Sequence, residues 1–296
     1  MDARSVAGAA VRGIAGGRGR RAANGGARRR SASGCAHAGA CRRRTGGDDE
    51  PAAPATGRRH RVTVMTRPQR ATRASGQART TVLVTGFGPF PGVPVNATML
   101  LLPALSLPAT KLFPDVHFVF EVLPTEWSAG PRRLERLLAE TTPDLALHFG
   151  VSSRARGFEI EQRARNACAA TQDASGALPT GAAIREGGAE HLPASLPVRH
   201  IVARLHQRGI PAFVSRDAGT YLCNAALYHS LVCAKDKDAA GRRVGFVHIP
   251  ATLARPGGPN RGRTGACPLT WDETLDGALE ILAACLGRAR PGARPA

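Results

Sequence analysis

The sequence predicts an α/β domain: a three-layer α/β/α sandwich with a largely parallel sheet, forming a single domain behind a basic N-terminal arm. Short apolar or β-branched runs that end at glycine or proline recur along the chain, as in Thr81-Val82-Leu83-Val84-Thr85 before Gly86. Between several of them lie segments with apolar residues at helical spacing. Strands alternating with helices imply parallel pairing, with helices covering both faces of the sheet.

The arm is separated from the domain by composition. The chain has 296 residues and a formal net charge of +19. Residues 1–79 hold 18 Arg and no Lys against four acids, a net +14, which leaves +5 for the rest. The arm contains no Leu, Phe, Trp or Tyr, and its alanines bury too little surface to offset the entropy of ordering a backbone. It is expected to be disordered. Arg28-Arg29-Arg30 and Arg42-Arg43-Arg44 have the look of nucleic-acid patches, but no aromatic lies nearby for base stacking. The same Arg-rich, acid-poor composition fits an organelle transit peptide, although its glycines spoil an amphipathic helix. The plainer account is biased composition, with Met65 as a natural later start. Cys35, His37 and Cys41 match no zinc spacing.

From Thr81 the elements follow in order. A strand over 81–85 is followed by one over 117–123. Residues 128–141 read as a helix, with Leu134, Leu137 and Leu138 as its stripe. Strands are expected at 144–149 and 157–164, a helix at about 196–208, and a strand at 211–215. A helix at about 222–235, a strand at 244–250 and a helix at about 270–287 complete the domain, taken as 80–287. Residues 288–296 read as a frayed tail. No run reaches the roughly 18 apolar residues a membrane span needs, since prolines break even 97–109. Seven scattered cysteines without a secretory leader fit free thiols in a cytoplasmic setting.

Ligands of such sheets bind beyond the carboxyl ends of the strands, and three segments there carry unusual residues. In Thr85-Gly86-Phe87-Gly88-Pro89-Phe90 a dinucleotide reading is weak, because Pro91 stands where the third glycine belongs. Phe87 and Phe90 instead suggest a wall for a small apolar ring. In Ser215-Arg216-Asp217-Ala218-Gly219-Thr220-Tyr221-Leu222-Cys223-Asn224, Cys223 falls at a helix start. The free N–H groups there favour a thiolate and suit an oxyanion. In Phe246-Val247-His248-Ile249-Pro250, His248 ends a buried strand, placed to exchange a proton with Cys223. An orienting carboxylate is then needed. Glu161 and Glu159 lie on the same face of one strand and compete for that role.

These segments, in this order, resemble the pyroglutamyl-peptidase I family. Val82–Phe90 is similar to its VLVTGFxPF, Glu161–Asn166 to its ERVAxN, Ser215–Asn224 to its SxxAGTYxCN and Phe246–Pro250 to its FxHxP. The resemblance runs from about Thr81 to Pro250. It implies Cys223 as nucleophile, His248 as general acid and base, and Glu161 rather than Glu159 as the residue orienting His248. Phe87, Phe90 and Tyr221 would flank the flat pyroglutamyl ring, and Asn96 would be a polar partner near it. Val95-Asn96-Ala97-Thr98 stands where the family has VNPS.

The function so implied is that of a cysteine omega-peptidase, hydrolysing the N-terminal pyroglutamyl residue from peptides through an acyl-enzyme. No metal or organic cofactor is expected. Peptides with N-terminal pyroglutamate are the expected partners, nucleic acid and membrane are not, and a homo-oligomer is allowed. The rival readings are a diverged member acting on another small amide, and a nucleic-acid-binding protein that uses the arm.

Overall fold

The structure, a computed structural model, describes residues 79–235, 241–253 and 267–289. The expected arm, Arg79 apart, lies outside the described residues, as does most of the expected tail. In chain order the elements are β1 (Thr80–Phe87), α1 (Ala97–Leu112), β2 (Val116–Leu123), α2 (Ala129–Thr141), β3 (Leu145–Ser152), β4 (Phe158–Glu161), β5 (Arg163–Arg165), β6 (His191–Pro193), α3 (Val198–Gln207), β7 (Ala212–Ser215), α4 (Leu222–Ala234), β8 (Arg243–Pro250) and α5 (Trp271–Cys285).

Six strands form one sheet in the order β2-β1-β3-β8-β4-β7. β1 is buried from Thr81 to Phe87, as a strand covered on both faces must be. Its side chains divide by the two-residue period. Val82 and Val84 enter a core with Leu101, Leu105, Ile281 and Leu282, while Leu83 and Phe87 enter another with Leu134, Leu138, Leu227 and Leu231. The first core lies under α1, α3 and α5, the second under α2 and α4, and the sheet is the middle of three layers. Asp144 fixes the β1/β3 edge by accepting the Thr81 N–H at 2.9 Å.

Three features depart from the sequence reading. α1 is a 16-residue helix containing Pro103 and Pro108, where the sequence reading placed no element. Each proline costs a helix about 3 kcal/mol, but Leu101, Leu102, Leu105 and Ala109 are fully buried on one side of it. At about 2 kcal/mol per large buried side chain, tertiary packing overrides propensity. The single strand expected over 157–164 is two, broken at Gln162, and β5 leaves the main sheet to pair antiparallel with β6. β4 itself runs antiparallel to β8 while remaining parallel to β7. Finally, the tail expected to fray is pinned at its start: the Arg288 guanidinium pairs with both oxygens of Asp115, and the Arg288 backbone N–H donates to Ala283 O at 2.9 Å.

α5 starts at a capping box, in which Thr270 Oγ1 accepts from Glu273 N at 3.2 Å and Glu273 Oε2 accepts from Thr270 N at 2.9 Å. Thr270→Ala should therefore cost about 1 kcal/mol of stability, read as a shifted urea midpoint with an unchanged m-value. Cys223 reactivity should not move, because α5 lies on the opposite face of the sheet from α4.

Candidate active site

The carboxyl ends of β1, β3 and β8 and the start of α4 meet at one cavity of about 530 Å³. Cys223 is the second residue of α4. Tyr221, at the N-cap, gives no side-chain cap, so the N–H groups of the first turn have no partner within the helix. The preceding turn needs a left-handed residue and has Gly219, φ +78°, whose N–H is accepted by Asp217 Oδ1 at 3.1 Å. Asn224, wholly buried, bonds the backbone of Arg165 and Ala167, which ties the helix start to β5.

Below Cys223 lies Gly150 of β3. A Cβ there would stand 2.8 Å from Cys223 Sγ and 2.7 Å from Phe246 Cζ, closer than van der Waals contact permits. Gly150 is in register with His248 on β8. His248 is 6% exposed and lines the cavity with Cys223; its Nδ1 lies 2.8 Å from Oε1 of Glu161, which is 0% exposed. Burial alone would lower the His248 pKa. The hydrogen bonds to Cys223 and Glu161, with their charges, outweigh it and hold the imidazole up at about 10. Of the two competing carboxylates, Glu161 makes the bond. Glu159, in register with His248 and half-buried, lines the cavity instead.

Phe87, Phe90 and Tyr221 also line the cavity. Phe87 packs on Phe246, and Tyr221 sits between Phe90 and Trp127 at 6.0 and 5.2 Å. Burial, with the charges of Asp173 and Cys223, pushes the Tyr221 phenol up to about 12 and keeps it a neutral donor, to Gln172 O at 3.0 Å. Asn96 lines the cavity and is 1% exposed. It caps α1 through Oδ1, and its Nδ2 donates to Gly88 O at 3.1 Å.

The Pyroglutamyl peptidase family profile matches residues 80–258, more than half of the chain. The chain belongs to the pyroglutamyl peptidase family. The pyrrolidone-carboxylate peptidase of Pyrococcus furiosus is 36% identical over 170 residues, 57% of this chain and 80% of that one. That of Clavibacter michiganensis subsp. michiganensis is 33% identical over 182 residues, 61% of this chain and 83% of its own. Among solved structures, Bacillus amyloliquefaciens pyroglutamyl peptidase I superposes with a TM-score of 0.61 at 27% identity, covering 71% of this chain and 98% of that one. Membership makes the chain an enzyme of a cysteine-peptidase family. Among the described residues, no helix is long and apolar enough to cross a membrane.

Residues that sequence reasoning did not single out support the family's fold at this site. Asp173, 1% exposed, accepts N–H bonds from Trp127, Ser175 and Ala177 and holds the loop behind Tyr221. Burial pushes its carboxyl up, but these bonds and the Ser175 hydroxyl bring it below the usual range. Thr125 Oγ1 donates to Gly88 O at 2.9 Å. His148, fully buried, bridges Thr85 and Ser230, and burial lowers its pKa to about 3, leaving it neutral. The only sequence signal for Asp173 was a turn-like Asp-Ala-Ser-Gly.

Gly150→Ala should displace Sγ or Phe246 and slow iodoacetamide alkylation of Cys223, because a Cβ there meets both atoms. An unchanged rate would show that Gly150 does not set the position of the thiol. A second expectation concerns pH. The folded-state pKa of His248 lies above its ordinary 6.5, so its stabilising proton is fully present below pH 6.5 and lost as pH rises through about 10. Glu161→Gln removes one of the partners that raise it. The stability of the unmodified protein relative to this variant should therefore fall between pH 7 and pH 10 in urea unfolding, and a rise would contradict the pairing.

Proposed function

We propose that the enzyme removes an N-terminal pyroglutamyl residue from peptides through a Cys223–His248–Glu161 triad and an acyl-enzyme. The observation carrying this reading is His248 held between the Cys223 thiol and the buried Glu161 carboxylate at the wall of an aromatic-lined cavity. The relatives named pyrrolidone-carboxylate peptidase support the pyroglutamyl substrate in this reading.

With its proton already held on His248, Cys223 Sγ attacks the pyroglutamyl carbonyl carbon. The first-turn N–H groups of α4 receive the oxyanion. As the intermediate collapses, the C–N bond breaks and His248 gives its proton to the leaving amine. Water, deprotonated by His248, then attacks the thioester and releases pyroglutamic acid, restoring the thiol. Glu161 positions the ring and stabilises its cationic form.

The substrate has no free α-amine, so its recognition falls to ring shape and the lactam amide. Phe87, Phe90, Val93, Asn96, Thr125, Tyr221 and Leu222, on one side of Cys223, include no charged residue. Asn96 Nδ2 carries a second hydrogen suited to the lactam carbonyl. An open-chain glutaminyl amide would bring an ammonium into this slot, at a cost of several kcal/mol without a counter-ion.

A pyroglutamyl amide should accordingly be turned over at least a hundredfold faster than the glutaminyl amide. Cys223→Ala should abolish turnover, and Glu161→Gln should lower kcat by about 10²–10⁴. Phe90→Ala should lower kcat/KM while leaving Cys223 open to alkylation. Comparable turnover of the two amides would remove the slot, and an active Cys223→Ala would remove the triad.

A further inference from the structure

The cavity is larger than a five-membered lactam needs, and strand order arranges it in a line. β1 supplies Phe87, β3 carries Gly150 under Cys223, β8 supplies His248 and β4 supplies Glu159. Neighbouring strands are about 4.8 Å apart, so the aromatic slot and Glu159 lie on opposite sides of the Cys223–His248 pair. The proton donor to the departing nitrogen has to stand on the leaving side of the scissile bond. With the ring over β1, the leaving peptide therefore runs over β8 towards β4.

On that side the cavity is lined by Ser152, Ser153, Arg154, Glu159, Ser215 and Asp217. Arg154 and Asp217 are exposed, and Asp217 faces Arg165 at 3.6 Å, so solvent weakens both. Glu159 is half-buried and makes no hydrogen bond or ion pair within 4 Å among the described residues. The triad does not use it, because Glu161 takes the His248 Nδ1 bond. Of the charged side chains on that side Glu159 is the most buried, with its carboxylate within 4.8 Å of the His248 ring and of the Glu161 carboxylate.

We infer that Glu159 forms a cation-selecting subsite for the leaving peptide, so that pyroglutamyl peptides continuing with Lys or Arg are preferred over those continuing with Asp or Glu. This rests on the pyroglutamyl peptidase reading above. Burial, with the like charge of Glu161, pushes the Glu159 carboxyl up against the opposing charges of His248 and Arg154, as expected of a carboxylate that a further cation would stabilise. A substrate ammonium or guanidinium adds that cation, whereas a substrate carboxylate adds a second like charge in a partly desolvated place.

The test compares kcat/KM for pyroglutamyl-lysyl, pyroglutamyl-alanyl and pyroglutamyl-glutamyl peptides of otherwise identical sequence. The lysyl peptide should exceed the glutamyl peptide about tenfold, with the alanyl peptide between them. Glu159→Gln should bring the ratio close to one by slowing the lysyl and speeding the glutamyl peptide. Glu159→Ala, which removes the same charge with less bulk, should narrow the ratio likewise and tests the idea if Glu159→Gln folds poorly. Cleavage of all three at similar rates by the unmodified enzyme, or an unaltered ratio in Glu159→Gln, would overturn the subsite while leaving the peptidase reading intact. Failure to cleave any of the three would overturn both.

Discussion

The site depends on a carboxylate taken wholly out of water. Glu161 is 0% exposed, one of its oxygens lies 2.8 Å from His248 Nδ1, and the other has no hydrogen-bond partner among the described residues. An unpaired buried carboxylate costs several kcal/mol, so this position is tolerable only with a cationic partner held against it. That partner is His248, whose protonated form is favoured far above its ordinary pKa. The rest of the architecture holds the two together. β4 is fastened on both sides, antiparallel to β8 and parallel to β7, just before the chain turns away at Gln162.

That turn also links the carboxylate to Cys223. By leaving the sheet, β5 brings the backbone of Arg165 to the start of α4, where Asn224 bonds its N–H and C=O at 2.8 Å each. The strand bearing Glu161 and the helix bearing Cys223 are thus joined through four residues of chain and one side chain. Two further constraints fix the depth and rotation of the helix. Gly150 leaves room for Sγ, and His148 reaches Ser230, two turns along α4 from Cys223.

Much of this was legible in sequence. The buried strands with central positions are continuous apolar runs, and α2, α3 and α5 begin and end within two residues of their expected bounds. α1 was not legible, because Pro103 and Pro108 argue locally against a helix that only tertiary burial of its leucines secures. Nor was the break at Gln162, which no glycine or proline marks. Cys223 and His248 stood out as chemically capable residues at a helix start and a strand end. Glu159 and Glu161 could not be separated by period, since both face the same side of β4. What separates them is the antiparallel register, which puts Glu159 opposite His248 and lets Glu161 reach the ring diagonally. Asp173 and Thr125 were hidden for another reason: they act by bonding backbone brought near by folding.

The two ends of the cavity differ in what bounds them, and this bears on why such an enzyme would remove one residue and no more. At the aromatic end Phe87, Asn96 and Thr125 are all buried, and Gly88 O accepts from both Asn96 and Thr125. That wall is braced from α1 and from the segment after β2, so a longer chain beyond the ring would have to break a capped helix start. At the other end Ser153, Arg154 and Asp217 are exposed, and a peptide of any length can leave across them. On the proposed function, exopeptidase action follows from a short, charge-free and rigid slot set against an open polar exit. The direction of the chain across the site is then set by His248, which must stand between the ring and the departing amine.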